Sequence, residues 1–223
     1  LLLHRALRRA GHAPASFSYY AFAESYDAIR RRLVARLQAL AATPEPVALI
    51  GHSLGGLLLR HAVADAPALQ VHRLVMLGTP NRPPRRAASA IRWLPFRVLA
   101  RSCGAVLASE RAYADIPEPR VPYTLIAGTA GYRLLGRPFR GEPHDGFVAV
   151  GETLIRDADQ PVLLPVDHTF MMNDPGLQQI VLQLLEVGQG VAGQWHAGGT
   201  RPRATSRSTT AAVFSVRVER SVG

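Results

Sequence analysis

Hydrophobic positions follow two alternating patterns over the first 187 residues. Apolar residues three or four positions apart predict helices over 2–10, 26–40, 57–66 and 175–187. Between them, short apolar runs predict strands at 15–20, 47–50, 74–77, 122–127 and 161–166. The run at 47–50 is apolar throughout, as in a strand buried on both faces. This alternation predicts an α/β fold: a mostly parallel sheet with helices on both faces.

Two segments depart from this alternation. Residues 81–120 combine Pro, Arg and apolar residues in a weak helical pattern that is broken at Pro95. Residues 188–223 are rich in Gly, Ser, Thr and Arg and have no stable period, which predicts a flexible tail. Within that tail, only 211–218 has the composition of an extra strand. We therefore expect one folded domain over 1–187, followed by the tail.

The composition is that of a folded domain and excludes several classes of protein. Of the 223 residues, 48% are hydrophobic and 19% are charged, which excludes a disordered chain. The single cysteine, Cys103, excludes an intramolecular disulfide and a multi-cysteine metal site. We expect Cys103 to be a small buried hydrophobe rather than a second nucleophile. No apolar run approaches the roughly 18 residues of a membrane-spanning helix, so we expect no stable membrane insertion.

The net charge of +10 comes from arginine alone, because the chain contains no lysine. The arginines are scattered, and the longest run covers only 30–32. They form no basic stripe and accompany no nucleic-acid-binding motif, so we expect no nucleic-acid partner. An arginine-only, alanine-rich chain is more typical of a coding bias than of a designed binding surface. We expect a cytoplasmic protein.

A G-x-S-x-G motif lies between the predicted buried strand and the helix that follows it, in the sequence Gly51-His52-Ser53-Leu54-Gly55. In this setting the serine occupies a tight, strained strand-to-helix turn, and glycine permits the close approach of the flanking backbone. The motif predicts Ser53 as a nucleophile. The N–H of Leu54, at the helix start, is placed to stabilise an oxyanion. The alternative is a glycine-rich turn that carries an ordinary serine.

A serine hydroxyl needs a general base, and His168 has the expected position for it. It directly follows the last predicted strand, and a helix comes after it. The other histidines downstream of Ser53 are His61, in the helix after the motif; His72, at the opposite end of a strand; His144; and His196, in the tail. The alternative for His168 is a partly buried structural histidine.

Asp145 has the best position for the acid that orients the base. It follows the strand at 122–127 through a glycine-rich loop. Asp157 and Asp159 precede the last strand, and Asp167 adjoins His168 in sequence, so its side chain should diverge from the imidazole. The alternative for Asp145 is a turn residue, because Asp-Gly is a common turn pair.

Taken together, four short motifs resemble the α/β-hydrolase family, in particular its bacterial lipase and carboxylesterase-like branch. They are Ile-Gly-His-Ser-Leu-Gly-Gly at 50–56, Leu-Gly-Thr-Pro at 77–80, His-Asp-Gly at 144–146 and Asp-His-Thr at 167–169. The resemblance covers about residues 1–187. It implies an eight-stranded, mostly parallel sheet and no metal or organic cofactor. It also implies a triad of Ser53, His168 and Asp145, with Leu54 as one oxyanion donor.

In this family, residues 81–120 occupy the position of a lid or cap. The large apolar residues of this segment line an acyl pocket or pack on the sheet as ordinary helices; they are Ile91, Trp93, Leu94, Phe96, Val98 and Leu99.

Members of the family also carry a strand that ends in a His-Gly loop before their first helix, and that loop supplies a second oxyanion donor. Here residues 2–10 resemble that helix, and no His-Gly precedes them. This departure favours a chain that lacks its first strands, with a groove or exposed sheet edge beside 1–7.

The resemblance implies a serine hydrolase that cleaves a small-molecule or lipid carboxylic ester through an acyl-enzyme on Ser53. Thioester and amide hydrolysis, and acyl transfer, stay open at this point, as does the oligomeric state. The alternative is a truncated, catalytically impaired relative that acts as a non-enzymatic or partner-binding protein.

Overall fold

Six parallel strands form one sheet in the computed structural model, which describes residues 2–21, 23–42, 45–85, 103–107, 109–131, 139, 141–187 and 212–218. In chain order the strands are β1 (Ala13–Tyr19), β2 (Val47–His52), β3 (Val71–Leu77), β4 (Tyr123–Gly128), β5 (Val162–Leu164) and β6 (Ala212–Val218). Across the sheet they run β1-β6-β2-β3-β4-β5, and each pairing is parallel. The predicted parallel sheet is confirmed.

The helices that accompany this sheet are α1 (Leu2–Arg9), α2 (Tyr26–Leu40), α3 (Leu54–Ala64), α4 (Glu110–Ala114) and α5 (Pro175–Val187). Two 3₁₀ helices cover Val150–Thr153 and Met171–Asn173. The periodicity predicts α1, α2 and α5 to within a residue. Helix α3 begins three positions earlier than its apolar pattern indicates, because the glycine-rich turn passes directly into the helix.

Helices cover both faces of the sheet. On one face, α2 and α3 bury Leu33, Leu37 and Leu57 against the odd-numbered residues of β2, such as Leu49. On the other face, α1 and α5 form a second cluster with the even-numbered residue Ile50. Strand β2 is therefore buried on both sides, as its apolar run predicts.

The second face includes the start of the chain. The side chains of Leu3 and Leu7 are at most 3% exposed and pack with Leu177 and Val181 of α5. The N-terminal helix therefore packs on this face of the sheet through Leu3 and Leu7.

The extra strand indicated by the composition of 211–218 is confirmed: residues 212–218 form β6 within the sheet, so the expected flexible tail is wrong for these residues. Strand β6 pairs with β1 from Ala13↔Ala212 to Tyr19↔Val218. On its other side it pairs with β2 from Val47↔Ala212 to Gly51↔Val216. The groove expected near the N-terminal helix is wrong for the same reason, since β6 fills the position between β1 and β2. Strand β1 lies at the edge of the described sheet.

The hydrogen-bonding needs of the backbone explain why residues 212–218 enter the sheet. Without β6, the facing N–H and C=O groups of β1 and β2 would lack partners beside a buried core, which is costly. Three valines in the segment favour an extended conformation. The other residues of 188–223 lie outside the described part of the chain.

Two further expectations concern the extent of the fold. The described residues contain six strands, where the family resemblance implies eight. The apolar residues of the lid or cap segment, from Ile91 to Leu99, lie outside the described residues. Of the described helices, none has both the length and the apolar character to cross a bilayer.

The position of β6 generates a stability prediction. Ser215 lies mid-strand between Ser16 and Ile50. Ser215→Pro removes an N–H that the sheet uses and leaves an acceptor unpaired, at a cost of about 1–3 kcal/mol. The melting temperature, followed by circular dichroism, should fall by about 2–4 °C per kcal/mol. The control is Thr205→Pro, which precedes β6 in sequence. Equal melting temperatures for the two variants would contradict the placement of β6.

Candidate active site

Ser53 occupies a strained turn between β2 and α3. Its backbone angles are φ 54° and ψ −126°, and among the described residues no other non-glycine residue has a positive φ. Such a conformation costs about 1–3 kcal/mol and persists only where the surroundings enforce it. The strand before it and the helix after it are those that the motif requires.

Close backbone contact enforces this turn. A Cβ atom on Gly51 would lie 2.6 Å from the Cα atom of Gly56, and a Cβ atom on Gly56 would lie 2.0 Å from Oγ1 of Thr79. Only glycine fits at these two positions. The G-x-S-x-G motif thus explains Gly51, and the packing of α3 on the turn after β3 explains Gly56. That contact also gives a physical reason for the Gly-Thr-Pro turn.

His168 lies between a carboxylate and the Ser53 hydroxyl. Its Nδ1 is 2.6 Å from Oδ2 of Asp145, and its Nε2 is 3.0 Å from Oγ of Ser53. Because an ionised carboxylate only accepts hydrogen bonds, Nδ1 carries the proton and donates it. Nε2 is then free to accept the Ser53 hydroxyl hydrogen. The three side chains therefore form a continuous hydrogen-bonded array.

The Asp145 carboxylate is buried, with 2% of the residue exposed, and its turn holds it in place. Its Oδ1 accepts the N–H groups of Phe147 and Val148, at 2.9 and 2.8 Å. Its backbone carbonyl accepts the N–H of His168 at 2.9 Å. Asp145 and His168 are thus joined through both side chain and main chain.

His144 supports this turn from the residue before Asp145. Its ring stacks on that of Phe139 with centroids 4.0 Å apart, and its Nδ1 accepts the N–H of Gly146 at 3.0 Å. From the sequence, His144 is one of the histidines downstream of Ser53 and the first residue of the His-Asp-Gly motif. Its place directly before Asp145 is the signal that could have indicated this contact.

The sequence matches no family model and no curated protein. The fold resembles that of a lipase from Bacillus licheniformis, BlEst2 in its mature form, with a TM-score of 0.54 and 18% identity. That match covers 73% of this chain and 74% of the lipase. The chain has an α/β-hydrolase fold. A Vlm2 thioesterase domain, solved with a bound tetradepsipeptide, matches over 80% of this chain and 94% of its own at a TM-score of 0.39 and 17% identity.

Within this α/β-hydrolase fold, the competing carboxylates have other partners. Asp157 pairs with Arg82 on the surface. Asp159 accepts the Tyr123 hydroxyl and two backbone N–H groups. Oδ1 of Asp167 accepts the N–H groups of the two residues after His168. The divergence expected for Asp167 is therefore present.

The competing histidines also lie in other environments. His61 contacts the hydroxyl of Tyr26 through Nδ1 and the carbonyl of Asp115 through Nε2. His72 lies within β3, and burial lowers its pKa. His196 lies outside the described residues. In the described part of the chain, no group of His, Cys, Asp or Glu side chains is arranged to hold a metal ion.

Cys103 is buried, with 2% of the residue exposed, and its thiol contacts the carbonyl of Glu24. Burial raises the pKa of this thiol to about 11. At pH 8 it is therefore almost entirely protonated, and a protonated thiol is a poor nucleophile.

This environment predicts slow alkylation of the folded protein. With iodoacetamide at pH 8, Cys103 should react at least about tenfold more slowly than it does in urea, because only the thiolate reacts. Mass spectrometry of the intact protein measures the rate. Equal rates in the two solutions would contradict the buried, protonated state of this thiol.

Proposed function

We propose that the chain is a serine hydrolase that cleaves carboxylic esters, in the manner of an esterase or lipase, through an acyl-enzyme on Ser53. The observation that carries the proposal is the array of Asp145, His168 and Ser53, with contacts of 2.6 and 3.0 Å. Its order along the chain is Ser, Asp, His, which is the order in this fold. The strained serine at the start of a helix supports the same proposal.

In the proposed mechanism, Nε2 of His168 takes the Ser53 proton as Oγ attacks the ester carbonyl. The Asp145 carboxylate stabilises the imidazolium and keeps Nδ1 directed at Oδ2. His168 then gives the proton to the departing alcohol, and the acyl group remains on Ser53. A water molecule, activated by the same histidine, releases the acid and restores the serine.

The developing oxyanion needs N–H donors, and Leu54 is proposed as one of them. Leu54 is the first residue of α3, and the first N–H groups of a helix have no partner within the helix. The positive end of the helix dipole favours negative charge at the same place. Such a donor contributes about 10²–10³-fold in rate.

Aromatic side chains beside the proposed base favour a substrate with an apolar group. The Phe147 ring lies 5.2 Å from that of His168, and Phe147 is 52% exposed. Phe170, two residues after the base, is 61% exposed. Exposed apolar surface next to a reactive serine suits a small-molecule or lipid ester better than a charged substrate.

Ser53→Ala tests the nucleophile. Hydrolysis of p-nitrophenyl esters should fall by about 10⁴-fold or more, because the acyl-enzyme cannot form. Labelling by a fluorophosphonate should disappear as well. The control is Ser109→Ala, which removes the serine that caps α4. Retained turnover within about tenfold in Ser53→Ala would contradict the proposal.

The same assays separate this proposal from the alternative of an impaired, partner-binding relative. That relative would have a folded chain whose Ser53 does not react with the fluorophosphonate. The labelling reports activation of the serine alone, so it does not depend on the choice of ester.

Asp145→Asn tests the acid. An amide cannot accept the Nδ1 proton as the carboxylate does, so His168 is left in the wrong tautomer, and kcat should fall by about 10⁴-fold. Asp167→Asn keeps the oxygen that accepts two N–H groups and should leave kcat within about tenfold of the parent. A reversed order of the two variants would assign the acid to Asp167.

A further inference from the structure

His52 contacts the proposed base although the mechanism above gives it no role. It is the last residue of β2 and directly precedes Ser53. Its Nε2 lies 2.9 Å from the backbone carbonyl oxygen of His168. Since a carbonyl only accepts, Nε2 of His52 carries the hydrogen and donates it. The two rings are neighbours, with centroids 4.9 Å apart and a tilt of 43°.

The main chain of His168 is therefore held from two sides. Its N–H donates to the carbonyl of Asp145, and its C=O accepts from His52. The pairing of β5 with β4 ends at Leu164, four residues before the base. These two hydrogen bonds thus fix the base beyond the end of the sheet. One comes from the acid residue and the other from the neighbour of the nucleophile.

The hydrogen bond from His52 to the His168 carbonyl matters most after the acyl-enzyme has formed. Once Ser53 is acylated, its oxygen no longer carries a hydrogen to donate to His168. The bond from the His52 side chain to the His168 carbonyl does not involve that oxygen and persists. It holds the base over the turn that carries Ser53 while the base activates water.

We propose that His52 is a positioning residue that keeps the His168 ring over Ser53, above all during deacylation. This inference rests on the proposed function of Ser53. His52 touches the backbone of the base and acts on the reaction through it. The side chain is also suited to this place electrostatically, because burial and the neighbouring His168 lower the pKa of His52 to about 3. It therefore stays neutral beside the imidazolium that forms on His168.

Two substitutions and a matched control test this role. His52→Phe keeps an aromatic ring without the donor, and His52→Gln keeps a side-chain N–H that can reach the carbonyl. The control is His4→Phe, because His4 makes the same kind of contact, from Nε2 to the carbonyl of Pro14 at 3.1 Å, on another element. Active sites are titrated with a fluorophosphonate, and p-nitrophenyl acetate turnover is followed in steady state and through the initial burst.

The expected result is a change in the rate-limiting step. Loss of one hydrogen bond to the base should lower kcat of His52→Phe by about tenfold per titrated site. Because deacylation slows more than acylation, KM falls together with kcat and the burst of p-nitrophenol grows. A purely structural effect would lower the number of titrated sites and leave both constants unchanged. His52→Gln should stay within about threefold of the parent, and His4→Phe should match the parent.

Two results would overturn this inference and leave the proposed function standing, provided that the parent reacts normally with the fluorophosphonate. One is a kcat of His52→Phe within twofold of the parent. The other is a loss of kcat in His52→Gln as large as that in His52→Phe. If His52→Phe fails to fold, His52→Leu replaces it as the variant without a donor, and the comparison with His52→Gln decides. A folded parent that does not react with the fluorophosphonate would overturn the proposed function and this inference with it.

Discussion

The close contact between the end of β2 and the start of α3 is the constraint on which the site depends. Gly51 and Gly56 bring two backbone segments within a distance that no Cβ atom permits. The positive φ of Ser53 lies between these two glycines, and Gly56 packs directly against the buried side chain of Thr79, in the turn after β3. Ser53, Leu54 and the end of β3 therefore meet in one packing arrangement.

His168 and Asp145, the proposed base and acid, depend on a second arrangement, made of hydrogen bonds that involve main-chain groups. The turn at Asp145 holds the carboxylate through two N–H groups, and the backbones of Asp145 and His168 are bonded to each other. His52, the last residue of β2, joins this pair to the strand that precedes Ser53. The loops after β4 and β5 are thus bonded to each other and to the end of β2, which accounts for the short distances between their side chains.

Local patterns in the sequence were sufficient for the parts of the fold that depend on neighbouring residues. The apolar run of β2 and the glycines after it predict the strand, the turn and Ser53, because these features are built within ten positions. For Asp145 and His168, the sequence predicts that they follow β4 and β5. The contact of His52 with His168 has no local signal, since the acceptor is 116 positions away.

The place of β6 in the sheet also depends on residues far away along the chain and could not be predicted from its neighbours in sequence. The composition of 211–218 indicates an extra strand, but the residues before it predict a tail, and nothing local indicates which strands it joins. What selects residues 212–218 is a gap between β1 and β2, two strands far away along the chain. The energy of filling that gap belongs to the assembled sheet and cannot be assigned to any window of the sequence.

The late position of β6 in the chain has a consequence for biosynthesis. About 160 residues separate the end of β2 from the start of β6, and a ribosome adds about 5–20 residues per second. The facing edges of β1 and β2 are therefore without their central partner for about 8–32 s of translation. In that interval they are open to pairing with another nascent chain. Strand β2, which leads into Ser53, gains its second neighbour only when residues 212–218 have left the ribosome. The turn at Ser53 therefore reaches its final surroundings late in synthesis.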